Sequence, residues 1–126
     1  MKKLKKENKM KSILILNGPN LNLLGHREPE IYGTDTTDDI EKTCILKAIN
    51  LDVQITLSQS NIEGELVNII QDARNKHDGI ILNAGAYTHT SIAIMDAIIA
   101  TQIPTVEVHI SNIYHRESFR HVSYVG

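Results

Sequence analysis

Apolar and polar positions alternate along the chain in a way that predicts four β-strands separated by three α-helices. Short runs rich in Val, Ile and Leu, bounded by turn-forming residues, are typical of strands; they occupy residues 12–16, 52–57, 79–83 and 105–110. The first and third runs are apolar on both faces. This pattern is expected of strands that lie in the middle of a parallel sheet.

Between these runs, apolar residues recur at helical spacing. The first predicted helix is capped near Thr37 or Asp38, the second follows Asn61, and the third is capped near Thr90 or Ser91. The residues expected on the buried stripes are Ile40, Cys44, Ala48 and Leu51 in the first helix, Leu66, Ile69, Ile70 and Ala73 in the second, and Ile92, Met95 and Ile99 in the third. The β-α-β-α-β-α-β order predicts a flavodoxin-like, three-layer α/β/α fold with a central parallel sheet and right-handed crossovers.

The composition favours a single catalytic domain over residues 12–126, because a chain of 126 residues at 41% hydrophobic content can bury one core. The first eleven residues hold six lysines and one glutamate, and we expect them to form a disordered basic tail. The rest of the chain has seven basic and fourteen acidic residues, a net charge of −7, which argues against a nucleic-acid-binding surface. A single Cys44, no signal sequence and no apolar run of membrane-spanning length lead us to expect a cytoplasmic protein that does not enter a membrane.

Polar side chains are concentrated just after the predicted strands. In open parallel sheets, ligands bind outside the carboxyl ends of the strands. The polar residues that follow strands one to four are, in order, Asn17, Asn20, Arg27 and Tyr32; Gln59, Ser60 and Asn61; Asn83, Tyr87, Thr88 and His89; and Glu107, His109, Ser111, Asn112, Arg116 and Arg120. The sequence therefore predicts a site for a small polar molecule at this edge of the sheet.

The same edge lacks the groups that several kinds of chemistry need. Beyond Lys47 the only lysine is Lys76, near the end of the second helix, so a Schiff-base mechanism has no evident nucleophile. No GxGxxG or P-loop sequence follows the first strand, and the histidines lack the spacing of a metal site. We therefore expect acid–base chemistry without a metal or another cofactor.

Each of these residues also has a purely structural explanation. The stretch from Asn17 to Asn20 has the composition of a turn, and Tyr32 could be a packing residue. Glu107 and His109 could form a solvated polar face on an edge strand. His89 could start a helix, and Arg116 and Arg120 could line an exposed helix face. No single residue decides between structure and chemistry.

Four stretches taken together resemble one enzyme family. They are ILNGPNLNLLGHREPEIYG, QSNIEGEL, ILNAGAYTHTSIAIMDA and VEVHISNIYHRESFRH, and in order and spacing they are similar to the type II 3-dehydroquinate dehydratases of the shikimate pathway. The resemblance extends from about residue 12 to the end of the chain. It implies a flavodoxin-like fold, a dodecamer built as a tetramer of trimers, and cofactor-free anti elimination of water from 3-dehydroquinate, through an enolate, to give 3-dehydroshikimate.

The resemblance also implies catalytic roles. Tyr32 matches the general base that takes a proton from the carbon beside the ketone, and Arg27 lies on the same loop. A phenol is normally protonated at neutral pH, so the permanent charge of Arg27 is expected to lower the pKa of Tyr32. His109 matches the general acid that protonates the leaving hydroxyl, and Glu107 is placed to orient it. Asn20 matches the residue that holds a water against the developing enolate.

The remaining matched positions imply substrate contacts. They are Asn83, His89 and Arg120 for the ring hydroxyls, the backbone of Ile110 with the hydroxyl of Ser111 for the carboxylate, and Asp96, which reaches in from a neighbouring subunit. All of these positions belong to the last two of the four stretches that resemble the family.

Two other functions remain open from the sequence. Family members continue beyond the position of Gly126 into a final strand and helix, so the chain could be a truncated, inactive homologue that binds a small molecule in the same pocket. A hydrolase that uses Ser111 with His109 is a further alternative, but the sequence lacks the GxSxG motif that presents such a serine.

Overall fold

The computed structural model describes residues 10–23 and 35–109. Within these ranges, four parallel strands form one sheet in the order β2-β1-β3-β4. The strands are β1 (Ser12–Asn17), β2 (Gln54–Gln59), β3 (Gly79–Asn83) and β4 (Thr105–Glu107), and the α-helices are α1 (Thr37–Leu51), α2 (Glu63–Ala73) and α3 (Ile92–Thr101). This arrangement confirms the predicted α/β, flavodoxin-like fold and the central positions of the first and third strands.

One face of the sheet carries the core of the described structure. Successive side chains of a strand point to opposite faces, so alternate residues of β1 and β3 share this face. Leu16 and Leu82 are paired in register and fully buried. The residues that complete the core come from the adjoining strand positions and from α2 and α3: Leu14, Ile80, Leu66, Ile70, Ala73, Ala84, Ile94 and Ala97. Helices α2 and α3 therefore cover this face together.

The opposite face packs against α1. Ile15 is paired in register with Leu57 on one side and with Ile81 on the other, so the three side chains lie next to each other. They surround a cavity of about 170 Å³, together with Ile40 and Cys44 of α1. The two predicted helix layers thus lie on the two faces of the sheet.

Helix α1 is capped one residue earlier than predicted. Its N-cap is Thr36: the Thr36 hydroxyl accepts a hydrogen bond from the Asp39 amide at 3.2 Å, and the Asp39 carboxylate accepts one from the Thr36 amide at 3.0 Å. These hydrogen bonds to Thr36 lower the pKa of Asp39. The predicted stripe is correct for Ala48, which is buried, and wrong for Leu51, which is 59% exposed because the helix ends there.

Helix α2 agrees with the predicted stripe: Leu66, Ile70 and Ala73 are buried and Ile69 packs against them. Strand β2, in contrast, starts two residues later than predicted. Asp52, the first residue of the predicted strand, is the C-cap of α1 and adopts a left-handed conformation with φ of 54°. The residue therefore ends a helix and does not begin a strand.

Helix α3 begins after Ser91, as predicted, but buries a different face. Ile94 and Ala97 are buried, whereas the expected core residues Ile92 and Ile99 are 53% and 64% exposed. The helix sequence IAIMDAIIAT is apolar almost all round, so its periodicity does not identify the buried side. Packing against α2 and the sheet therefore determines which side of α3 is buried.

The predicted basic tail lies mostly in residues 1–9, outside the described residues. Strand β4 is shorter than predicted: it ends at Glu107, residues 108 and 109 are not strand, and Ile110 lies outside the described residues. Among the residues that are described, no helix is long and apolar enough to cross a membrane. Three or more His, Cys, Asp or Glu side chains in a metal-binding arrangement are likewise not found within residues 10–23 and 35–109.

Candidate active site

The segments that follow β1 and β3 approach each other closely at the carboxyl edge of the sheet. The amide of Gly18 donates a hydrogen bond to the carbonyl oxygen of Asn83 at 2.7 Å. A Cβ atom at Gly18 would lie only 2.3 Å from the carbonyl oxygen of Ala84. Glycine is therefore required at this position because a side chain would collide with backbone.

A network of side-chain amides joins the segments that follow β1 and β2. The Nε2 of Gln59 donates to the carbonyl oxygen of Gly18 and to the Oδ1 of Asn61, both at 3.1 Å. The same Oδ1 accepts the backbone N–H of Asn20 at 3.0 Å. A backbone carbonyl can only accept and a backbone N–H can only donate, so these contacts fix which end of each side-chain amide is oxygen and which is nitrogen.

The segment that follows β3 joins the same network. The hydroxyl of Tyr87 donates to the carbonyl oxygen of Asn61 at 3.0 Å. Tyr87 lies in a 3₁₀ helix, Gly85–His89, which also carries His89, half-buried at its last position. The Oδ1 of Asn83 accepts the amide of Gly85 at 3.2 Å, and Gly85 has a positive φ of 60°. This segment is therefore held by its own turn and by its bond to Asn61.

Asn20 has an uncommon backbone conformation for a residue with a side chain, with φ of 67°. Asparagine tolerates this left-handed region better than most residues. Its carbonyl oxygen accepts the amide of Leu23 at 3.0 Å, and its own amide is bound by Asn61. The backbone is held on both sides, while the residue remains exposed at the edge of the sheet.

Glu107 and His109 interact directly at the carboxyl end of β4. The Nε2 of His109 is hydrogen-bonded to the Oε1 of Glu107, and the two side chains are only 25% and 17% exposed, respectively. The alternative of a solvated polar face does not fit this degree of burial. An ionised carboxylate can only accept, so Nε2 carries the proton of this bond and Nδ1 is the nitrogen left for another partner.

The apolar cavity under α1 is a poor site for a polar molecule. Its walls are mainly aliphatic side chains, among them Ile15, Leu57 and Ile81. The polar residues that line it are Asn17, Thr37, Glu41 and Asn83. Burying hydroxyl or carboxylate groups without hydrogen-bond partners is unfavourable. The polar edge above the strands is therefore the better candidate site.

The structure places six of the predicted site residues. Asn20, Asn83, His89, Glu107 and His109 lie at or just beyond the carboxyl ends of the strands, and Asp96 is exposed on α3. The predicted site residues that lie outside the described residues are Arg27, Tyr32, Ile110, Ser111 and Arg120. The sequence placed Gln59, Asn61 and Tyr87 at this edge but gave them no role; their polarity and their positions just after strands were the available signal.

A parallel α/β sheet with an amide network and a carboxylate–imidazole pair at its carboxyl edge defines a flavodoxin-like protein equipped for acid–base chemistry. The sequence model of the family "Dehydroquinase class II" matches residues 11–126. This chain belongs to that family.

Curated relatives agree with this assignment. A 3-dehydroquinate dehydratase of Gloeothece citriformis is 62% identical over 115 residues, which are 91% of this chain and 76% of the relative. A 3-dehydroquinate dehydratase of Dinoroseobacter shibae is 58% identical over 114 residues, which are 90% of this chain and 76% of the relative.

Among solved structures, a type II dehydroquinase from Butyrivibrio crossotus superposes with a TM-score of 0.90 at 43% identity, covering 92% of this chain and 81% of its own. A type II dehydroquinase from Propionibacterium acnes gives a TM-score of 0.87 at 43% identity, covering 94% and 82%. The fold similarity thus extends over nearly all of this chain.

Proposed function

We propose that this chain catalyses the elimination of water from 3-dehydroquinate to give 3-dehydroshikimate, a step of the shikimate pathway. The family match over residues 11–126 is the observation that carries the proposal. Relatives at 62% and 58% identity bear the name of this activity. The bonded pair of Glu107 and His109 at the carboxyl edge supplies the kind of acid–base group that the reaction needs.

The reaction needs one base and one acid. The base removes a proton from the carbon beside the ketone, and the electron pair moves to the ketone oxygen to form an enolate. When the enolate collapses, the carbon–oxygen bond to the hydroxyl breaks, and the hydroxyl leaves as water after taking a proton from the acid. Substrate and product differ only by water, so the proton transfers balance without an oxidant or a reductant.

His109 acts as the acid in this proposal. Its bond to Glu107 fixes the ring and the tautomer, and so directs Nδ1 away from Glu107 and toward the substrate. The protonated ring then donates its Nδ1 proton to the leaving hydroxyl. Glu107 orients the ring and does not itself touch the substrate.

Asn20 stabilises the enolate through a water molecule in this proposal. A fixed dipole aimed at developing charge lowers the barrier because it needs no reorganisation during the reaction. The support is the firmly held, left-handed backbone of Asn20 at the open edge of the sheet.

Tyr32 acts as the base, and the charge of Arg27 favours its ionised form. Both lie outside the described residues, and their roles rest on the match of residues 11–126 to the family. Two of the proposed substrate ligands, Asn83 and His89, lie at the carboxyl edge of the sheet. The others, Ile110, Ser111 and Arg120, lie outside the described residues.

Assembly into trimers and then a dodecamer completes the proposal, with Asp96 contributing to the site of a neighbouring subunit. Asp96 is exposed on α3, and Ile92 and Ile99 of the same helix are exposed as well. Apolar side chains on the surface of a helix favour a contact with another subunit.

The test is the production of the conjugated enone of 3-dehydroshikimate from 3-dehydroquinate, followed by absorbance. We expect turnover by the purified chain without added metal or cofactor. Activity should also survive prior treatment with borohydride in the presence of substrate, because no imine forms. Binding of 3-dehydroquinate without any turnover would instead support an inactive binding protein.

Tyr32→Phe is the decisive variant for the base. Removing one hydroxyl leaves the side-chain volume nearly unchanged, so we expect kcat to fall on the order of 10²- to 10⁴-fold while calorimetric binding of 3-dehydroquinate persists. A variant with a rate within a few-fold of the parent would show that Tyr32 is not the base.

A further inference from the structure

Asn61 receives hydrogen bonds at the carboxyl edge from the segment that follows β1, from the end of β2 and from the segment that follows β3. Its Oδ1 accepts the Asn20 amide at 3.0 Å and the Gln59 Nε2 at 3.1 Å, and its backbone carbonyl accepts the Tyr87 hydroxyl at 3.0 Å. A carbonyl oxygen has two lone pairs, so both acceptor positions of this Oδ1 are occupied. The Asn61 side chain is thereby fixed in direction.

Gln59 is itself held in place, which makes the arrangement directional. The Nε2 of Gln59 carries two protons, and the two short contacts at 3.1 Å, to the Gly18 carbonyl and to the Asn61 Oδ1, use both of them. Its third neighbour, the Oδ1 of Asn22, is at 3.5 Å, the outer limit for a hydrogen bond. Gln59 is thus held by its hydrogen bond to the Gly18 carbonyl, and its second hydrogen bond orients the side chain of Asn61.

The group that receives this orientation is the backbone of Asn20. A left-handed conformation is unfavourable for a residue with a side chain, so it persists only where the surroundings hold it. Within the described ranges, the backbone N–H of Asn20 donates to one side-chain acceptor, the Oδ1 of Asn61. The direction of the Asn20 side chain depends on this backbone conformation.

We infer that Asn61, oriented by Gln59, is a positioning residue that acts on the reaction through Asn20. The inference rests on the proposed function, in which Asn20 holds a water against the enolate. Asn61 does not touch the substrate: it holds the Asn20 backbone in the left-handed conformation and so aims the Asn20 amide group. The contribution belongs to the enolate and to the transition states on either side of it, because the ketone oxygen of the bound substrate does not yet carry that charge.

A double-mutant cycle tests the inference. In Asn61→Ala we expect kcat to fall about tenfold, with KM changed by less than about twofold, because a misdirected amide no longer meets the enolate. In an Asn20→Ala background the same substitution should cost less than about twofold, since the residue it positions has gone. Asn68→Ala, which replaces an exposed asparagine of α2 outside the network, is the matched control and should leave kcat unchanged.

Equal losses from Asn61→Ala in both backgrounds, or no loss in either, would overturn the inference. If Asn61→Ala does not fold, Gln59→Leu takes its place, because it removes the donor that orients Asn61; we expect a smaller loss that also disappears with Asn20→Ala. Amide hydrogen exchange at Asn20 gives a readout that does not depend on activity: it should accelerate in Asn61→Ala and stay unchanged in Asn68→Ala. If the parent chain does not dehydrate 3-dehydroquinate, the proposed function fails, and unchanged exchange at Asn20 would separately refute the positioning by Asn61.

Discussion

The two ends of the same sheet are held together by different chemistry. At the carboxyl edge, neutral amides and backbone groups join the segments that follow β1, β2 and β3, as in the contacts of Gln59 and Asn61. At the amino edge, the Ser12 hydroxyl is bonded to the Nδ1 of His77 and the Ser12 amide donates to the carboxylate of Asp78, both at 2.8 Å. The amide network does not titrate near neutral pH, whereas the amino-edge bonds involve an imidazole.

Because of this difference, we expect the carboxyl edge to determine turnover and the amino edge to determine how stability depends on pH. A site that performs proton transfer benefits from a scaffold that keeps its geometry while the catalytic groups change protonation state. His109, the proposed acid, lies at one edge of the sheet, and His77 helps to hold the other edge. Substitutions at the two edges should therefore affect different measurements.

The largest expected effect is on turnover and belongs to the carboxyl edge. His109→Gln removes the proposed acid, so we expect kcat to fall on the order of 10²- to 10⁴-fold with little change in thermal stability. Ser12→Ala, which removes the hydroxyl that is bonded to His77 at the amino edge, is the control and should keep the parental kcat. Similar losses of turnover in both variants would show that the two edges do not have separate roles.

The second effect concerns the close approach of the β1 and β3 segments. Gly18→Ala should reduce the free energy of unfolding by about 1–3 kcal/mol, because its Cβ would lie 2.3 Å from backbone. Gly64→Ala is the matched control in α2: nothing lies within 4 Å of its Cβ, so helix propensity should raise stability by up to about 1 kcal/mol. Chemical denaturation of both variants measures the contrast, and equal effects would contradict the glycine requirement.

The third effect concerns pH. The pKa of His77 is lowered from its ordinary value of 6.5, mainly because burial disfavours the charged ring and also because of the charge of Lys76, while Asp78 acts in the opposite direction. The stability that depends on neutral His77 is complete above pH 6.5 and is lost as the pH falls through the lower folded-state pKa.

His77→Gln should therefore make the free energy of unfolding fall less steeply than in the parent as the pH is lowered below 6.5. Urea titrations at several pH values measure this slope. An unchanged slope would mean that His77 titrates alike in the folded and unfolded chains.

The smallest effect concerns two buried hydroxyls near the carboxyl edge. The Oγ1 of Thr88 has no hydrogen-bond partner among the described residues, whereas the Oγ of Ser91 accepts the Ile94 amide at 3.0 Å and caps α3. Thr88→Val should change stability by less than about 0.5 kcal/mol, because an unpaired buried hydroxyl contributes nothing when it is lost. Ser91→Ala should cost about 1 kcal/mol. A large loss in Thr88→Val, measured by thermal unfolding, would place a partner for this hydroxyl beyond the described residues.

The sequence by itself determined the class of fold and the edge of the sheet at which the candidate site lies. Alternating β-branched runs and helical stripes specify strands and helices locally, and the strands apolar on both faces, β1 and β3, are the central ones. In a parallel sheet the residues that follow each strand must meet at one edge, so Asn20, Asn83 and His109 were placed correctly without coordinates. The resemblance of four stretches to one enzyme family then indicated the reaction.

Only the tertiary structure decided features that depend on which surfaces meet. Ile94 and not Ile92 is buried on α3, because an almost uniformly apolar helix has no preferred side until it packs. Asp52 ends α1 through a left-handed backbone, which no periodicity signals. The bond from Asn20 to Asn61 joins residues 41 positions apart. Such a contact is fixed by the approach of two strand ends in space, and neither residue's local sequence carries that information.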